Sequence, residues 1–224
     1  MSTELRRIEA RRPDVADVPG ADAEYVWYAA YGSNLHHTRL GFYLCGGKPP
    51  GGRRTYPGCR EPRDPVRTVP VMLPGEVYFA LESPAWTGGM AFYDPDAPGE
   101  TPARAYLISA RQFSDVAAQE MHRPPGDDLD LARVLAEGRA EMGPGCYETL
   151  VCPGSLDGRP VLTFTAPWGM RDVVWRPPGA AYLRWLASGL QVSHAWPAAR
   201  IAAHLARRPG AAMRWTAAEI AALL

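Results

Sequence analysis

Tyr25-Val26-Trp27-Tyr28-Ala29-Ala30-Tyr31 is an unbroken aromatic and aliphatic run, the pattern of a buried strand. Gly32-Ser33-Asn34 breaks it, and Ser33 or Asn34 is placed to N-cap a short helix over Leu35 to Leu44. Val66 to Leu73 and Glu76 to Leu81 read as a strand pair around Pro74-Gly75. Met90 to Tyr93 and Ala103 to Ile108 are two further short strands. Ser109-Ala110-Arg111-Gln112 has the spacing of a capping box, and the helix it opens runs to about His122, before Pro124-Pro125. A second helix is predicted over Asp128 to Met142. Tyr147 to Cys152 and Val161 to Thr165 form a hairpin around Asp157-Gly158. Helices follow over Gly179 to Leu190 and over Ala198 to Arg207, and Thr216 to Glu219 caps a terminal one. Residues 1–22 are charged and without period, and read as a mobile arm before a single domain over 23–224. Residues 46–65, rich in Gly, Pro and Arg, read as a surface loop. Strands early and mid-chain with helices at the end predict an α+β domain around a partly closed mixed sheet.

Composition narrows the classes. The chain has 224 residues, 46% of them apolar, enough for a full core. Its 24 basic and 24 acidic groups balance, which argues against a nucleic-acid binder driven by bulk charge. No run approaches the length of a membrane span, and the polar, Arg-rich start lacks the apolar centre of a signal peptide. Cys45, Cys59, Cys146 and Cys152 show no CxxC spacing, so reduced thiols in a cytoplasmic protein are expected. The five histidines form no metal-ligand spacing, and no metal or other cofactor is expected.

Two features carry candidate chemistry. At the junction after Tyr31, Gly32 lets a ligand approach the backbone, and the helix start beyond it leaves N–H groups facing outward. The same run also reads as a plain strand–turn–helix. Glu120 lies three, four and seven residues beyond Ala117, Val116 and Phe113, on the apolar face of its helix. A carboxylate there is costly unless protonated, paired or functional, and burial would raise its pKa toward that of a general acid/base. It also reads as a helix-end carboxylate reaching solvent or an arginine. His36-His37 read as a solvated helix start, and the arginines of 53–67 as a solvated loop.

Tyr31-Gly32-Ser33-Asn34-Leu35, followed by Arg39, resembles the signature of the γ-glutamylcyclotransferase-like family. Trp86-Thr87-Gly88-Gly89-Met90-Ala91 resembles that family's glycine-rich strand before its catalytic helix, and Gln119-Glu120 falls where the family has its acid/base glutamate. Pro177 to Leu183, with Gly189-Leu190, resembles the late segment where a helix packs on the barrel. The chain departs in Met121-His122-Arg123-Pro124, where the family often has Gly and a nearby Tyr. The 46–65 stretch and the helix at 128–142 look like additions.

The resemblance implies a small mixed, partly closed β-barrel with flanking helices. It implies intramolecular aminolysis, in which the α-amine of a γ-glutamyl group attacks its own γ-carbonyl and releases 5-oxoproline. Glu120 would shuttle the proton, and Tyr31, Gly32, Ser33, Asn34 and Leu35 would hold a small γ-glutamyl amine or γ-glutamyl amino acid. The partner is then a small molecule, with no nucleic acid or membrane. The rival class is a non-catalytic member that binds a glutamyl-like ligand or a protein. A carboxylate facing a pocket beside the turn favours the enzyme, and one salt-bridged on the surface favours the binder. A hydrolase would need a cysteine beside His36 or His37.

Overall fold

The structure, a computed structural model, describes residues 4–9, 24–50, 54–83 and 87–224. Its centre is a seven-stranded mixed sheet. The strands are β1 (Arg6–Arg7), β2 (Tyr25–Ala30), β3 (Arg67–Pro74), β6 (Glu100–Ser109), β7 (Arg139–Glu141), β8 (Thr149–Leu156) and β9 (Arg159–Thr165), in the order β1-β3-β6-β2-β9-β8-β7. Strands β4 (Glu76–Ala80) and β5 (Met90–Asp94) form a separate antiparallel ribbon.

The run at 25–30 is central, antiparallel to β6 and parallel to β9. Its unbroken apolar pattern follows from burial on both faces. Trp27 and Ala29 join a core with α4 (Ala180–His194) and α5 (Ala198–Ala206). Val26, Tyr28 and Ala30 join a second core with α1 (His37–Cys45) and α2 (Ala110–Glu120). The helix α2 begins on the predicted capping box, with the Gln112 N–H donating to Ser109 Oγ at 3.0 Å and the Ser109 N–H donating to Gln112 Oε1 at 3.1 Å. Asp157 and Gly158 both have positive φ, at 52° and 72°, as a tight β8–β9 hairpin requires. A second capping box at Thr216 opens α6 (Ala217–Ala221).

Several expectations are corrected. The β3 and β4 runs do not pair with each other: β3 runs along β6 from Arg67↔Leu107 to Pro74↔Glu100, and β4 turns away to β5. Val77 to Ala80 are all buried, so β4 is apolar on both sides and needs cover on both. The strand that leads into α2 is β6, as the order of runs before Ser109 predicts. The helix expected over 128–142 is α3 (Ala132–Glu137), ended by Gly138 in a left-handed C-cap, after which the chain pairs with β8 as β7.

The ladder itself is open, with β1 and β7 at its edges. The expected partial closure reduces to one bridge, in which Glu9 and Ser155 exchange two N–H···O bonds of 2.9 Å. Thus Arg6, Arg7 and Glu9 of the expected arm are paired, and Arg6 is ion-paired to Asp157 at 2.7 Å. The rest of the arm, residues 10–22, lies outside the described residues, as do Trp86 and residues 51–53. Among the described residues, no helix is long and apolar enough to cross a membrane.

Candidate active site

A cavity of about 400 Å³ opens where β2 ends, which suits a small metabolite. The chain leaves β2 at Tyr31, turns at Gly32 and makes one 3-10 turn over Ser33–Leu35 before α1. The first turn bond runs from the Leu35 N–H to the Gly32 carbonyl at 3.0 Å, so the earlier N–H groups of Ser33 and Asn34 have no carbonyl within the turn. Tyr31, Gly32, Ser33 and Asn34 all line the cavity.

Leu35 does not. It is buried against α4, where Gly189 admits it: a Cβ on Gly189 would lie 2.5 Å from the Leu35 Cβ. Leu35 anchors the turn from behind and is corrected from ligand contact to packing. Neither Ser33 nor Asn34 caps α1, because the Asn34 side chain is turned elsewhere: its Nδ2 donates to the Tyr28 hydroxyl and to Glu120 Oε1, both at 3.3 Å. The N-cap position is His36 instead.

Glu120 is the last residue of α2, whose Phe113, Val116 and Ala117 are fully buried. The residue is half-buried and its carboxyl lines the cavity wall. Burial pushes its pKa above the usual carboxylate range, against the opposing pull of the Tyr43 hydroxyl bonded to it and of the Arg39 guanidinium. Among the described residues, no cation lies within ion-pair distance of it. The two halves of the predicted site, 86 residues apart in sequence, thus meet through the Asn34–Glu120 hydrogen bond.

Sequence reasoning missed most of the wall. Six tyrosines line it, Tyr28, Tyr31, Tyr43, Tyr56, Tyr147 and Tyr182, and of these the sequence pointed only to Tyr31 as a site residue. Burial raises the pKa of Tyr28, Tyr31, Tyr43, Tyr147 and Tyr182, so these hydroxyls stay protonated at neutral pH. Arg39, on α1, is 3% exposed and lies over the rings of Tyr43 and Tyr56, with centroids at 5.0 and 4.7 Å. Its Nη2 donates to Tyr56, while Nε and Nη1 are buried with no hydrogen-bond partner. Arg39 appeared in the sequence as part of the motif, but its depth did not.

The arginine loop is also corrected. Arg54 reaches the cavity rim, where Nη1 donates to the Gln119 carbonyl at 3.0 Å and meets His122 Nδ1 at 2.7 Å. Arg60 binds Asp115, which is fully buried. His36 and His37 are half-buried rather than solvated: His36 packs edge-on to Trp185, and His37 stacks on Tyr106. No cysteine lines the cavity: Cys59 Sγ donates to the Tyr43 carbonyl and Cys152 Sγ to the Gly154 carbonyl. Among the described residues, no three His, Cys, Asp or Glu side chains gather as a metal site.

No family model matches the chain. Histone deacetylase 5 of Arabidopsis thaliana is 32% identical over 183 residues, covering 74% of this chain. The chain spans 28% of that protein's length. Among solved structures, a gamma-glutamyl cyclotransferase is 14% identical with a TM-score of 0.42, over 76% of this chain and 81% of that one. An uncharacterized protein from Homo sapiens is 16% identical with a TM-score of 0.43, over 76% and 80%. YkqA from Bacillus subtilis is 15% identical with a TM-score of 0.35, over 75% and 49%.

Proposed function

We propose that this cavity cyclises a γ-glutamyl compound, releasing 5-oxoproline and an amine or amino acid. The observation that carries the reading is Glu120. It is a carboxyl free of ion pairs among the described residues, set in the wall of a small cavity and joined to the Gly32–Asn34 turn through Asn34. A surface salt bridge would instead have favoured a binding protein.

The nucleophile is the substrate's own amine, so the protein has two tasks. It folds the glutamyl chain so that amine and γ-carbonyl meet, and it moves protons from the attacking nitrogen to the leaving one. Glu120, as carboxylate, takes a proton from the α-ammonium. The freed amine attacks the γ-carbonyl, closing a five-membered ring through a tetrahedral adduct. The proton then passes from Glu120 to the leaving nitrogen and the old C–N bond breaks; the second surplus proton of the ring nitrogen follows through the same carboxylate to the departing amine, so that a neutral lactam nitrogen and an ammonium result. Burial raises the affinity of Glu120 for a proton, which suits a group that both accepts and returns it. The tyrosine hydroxyls around it are neutral donors, suited to substrate carboxylates and to oxygen charge in the adduct. Holding amine and carbonyl in contact contributes several kcal/mol, up to about 7–11 for ideal alignment.

The test is incubation of the chain with a panel of γ-glutamyl amines and γ-glutamyl amino acids, with 5-oxoproline measured by chromatography. Release above the uncatalysed rate from at least one compound is expected. Binding of such compounds with no release would point to the non-catalytic reading.

A further inference from the structure

Two groups of opposite charge line the cavity without touching. Arg39 is deeply buried and, among the described residues, pairs with no carboxylate. Glu120 is the one acid among the lining residues. A guanidinium stays charged when buried, so a countercharge nearby is worth much to it. Between the two stands a file of hydroxyls. Arg39 Nη2 donates to the Tyr56 hydroxyl, the Tyr56 and Tyr43 hydroxyls are 3.4 Å apart, and the Tyr43 hydroxyl is bonded to the Glu120 carboxyl. One end fixes the sense of the file. Arginine can only donate, so Tyr56 accepts from it and turns its own proton to Tyr43, which donates in turn to Glu120. The file therefore ends on an acceptor. A carboxylate is the stronger acceptor and a neutral carboxyl the weaker, so this order of donors favours the charged form.

The file is held by a built support. Arg39 and Tyr43 lie one turn apart on the same face of α1. Tyr56 comes from the Gly-, Pro- and Arg-rich stretch, which the fold clamps onto the end of that helix. Tyr56 and Gly47 exchange two N–H···O bonds of 2.8 and 2.9 Å, and the Cys59 N–H donates to the Leu44 carbonyl at 2.9 Å. Gly46 and Gly58 allow the close approach. A Cβ on Gly58 would lie 2.8 Å from the Gly46 nitrogen, and one on Gly46 would lie 2.9 Å from the Pro57 carbonyl oxygen. Both glycines have positive φ, at 79° and 89°. The clamp lays the buried Tyr56 ring against that of Tyr43, with centroids 4.4 Å apart, and the Arg39 guanidinium lies over both.

We propose that Arg39 is a positioning residue which, through the Tyr56 and Tyr43 hydroxyls, holds Glu120 as the carboxylate that takes the substrate's proton. The inference rests on the cyclising reading of the site and adds the device that keeps its base ready. Glu120 is faced by Tyr28 from β2, by Asn34 from the turn, by Arg39 and Tyr43 from α1, by Tyr147 and by Tyr182 of α4, and by Arg54 and His122 at the rim. Tyr28, Tyr147 and Tyr182 are kept neutral by burial and bring no countercharge. Burial works against the Glu120 carboxylate. The Tyr43 bond opposes it most, the Arg39 charge next, and His122 and Arg54 less. The support is mutual, since Glu120 and the two tyrosines also favour the charge on Arg39.

The experiment follows the titration of the Glu120 carboxyl by 13C NMR in protein labelled at the glutamate carboxyls, with Glu120→Gln identifying the signal. The pH profile of kcat/KM for 5-oxoproline release is measured beside it. Tyr56→Phe keeps the ring and Arg39 but breaks the file, and Tyr43→Phe removes its last donor. Both are expected to move the Glu120 titration to higher pH. Arg39→Met moves it the same way, and Arg39→Lys, which keeps the charge, moves it less. In each of the two phenylalanine variants the loss of kcat/KM is about 10-fold larger on the acid limb of the profile than on its plateau, the effect of one charged hydrogen bond. A merely structural role would lower both parts alike. An unmoved Glu120 titration in Tyr56→Phe and Arg39→Met overturns the assignment and leaves the cyclising reading standing. Absence of 5-oxoproline from every γ-glutamyl compound with the wild type overturns that reading, and the task assigned to Arg39 falls with it.

Discussion

Adding one methyl group at Gly189 should loosen the turn that carries the site, and the same change at Gly41 should do the opposite. Both glycines lie inside helices, so alanine gains up to about 1 kcal/mol of helix propensity at each. At Gly41 in α1 a new Cβ meets nothing within 4 Å, and that gain stands alone. At Gly189 in α4 the Cβ would lie 2.5 Å from the Leu35 Cβ and 3.1 Å from both the His36 nitrogen and the Leu35 carbonyl carbon. Two of those three atoms are backbone, so relief requires moving the turn that holds Ser33 and Asn34. Overpacking of this kind costs about 1–3 kcal/mol, here toward the upper end. The net result for Gly189→Ala is a loss of about 1–2 kcal/mol, or roughly 2–8 °C in Tm for a domain of this size. Gly41→Ala should gain about 0.5–1 kcal/mol. Urea unfolding followed by tryptophan fluorescence reads both. Gly189→Ala should also slow 5-oxoproline release well below the melting range. A stabilised Gly189→Ala variant would refute the view that α4 sets the height of the turn through this contact.

Other changes probe the frame around the site. Asp115 is fully buried and accepts from the Arg60 N–H at 2.8 Å and from the Arg60 guanidinium, so Asp115→Ala should lower unfolding free energy by about 2–3 kcal/mol in urea titrations. His204 is packed edge-on to Trp196, and burial holds its pKa down at about 3. Unfolded, it titrates near 6.5, so below that pH the unfolded chain binds the extra proton and stability falls down to about pH 3. His204→Phe should flatten that slope when unfolding is followed from pH 7 to pH 3.5. Glu120 has the opposite sign for an acid. Its raised pKa means that the folded chain keeps the proton longer, so stability is lost as pH rises from the unfolded value of 4.5 through the folded one. Glu120→Gln should therefore be more stable than the wild type at pH 7, with the difference vanishing below pH 4.5.

Local signals in the chain were strong where one interaction decides the outcome. Ser109 and Gln112 announced the start of α2, Asp157-Gly158 the hairpin, and the unbroken run at 25–30 a strand covered on both faces. Pairing partners were not legible. Whether β3 joins β4 or β6 is settled by packing between segments distant in the chain, and Val77 to Ala80 carry no mark of that choice. Gly138 alone divides the expected 128–142 helix into α3 and β7, and an isolated glycine in a helical pattern is too common to be read as a stop. At the site, the turn and Glu120 stood out because each breaks a local rule. Arg54 and the tyrosines break none: each is an ordinary residue in its own segment and acquires meaning only where five segments converge.

The central claim is that the carboxyl of Glu120 moves the proton of the ring closure. It is tested most directly by the initial rate of 5-oxoproline release by Glu120→Gln and the wild type at equal concentration of folded protein, on whichever γ-glutamyl compound the wild type turns over. The account predicts a drop of about 10²- to 10⁴-fold for the variant with its urea midpoint at pH 7 at least as high as the wild type's. A variant that releases 5-oxoproline at the wild-type rate would contradict it.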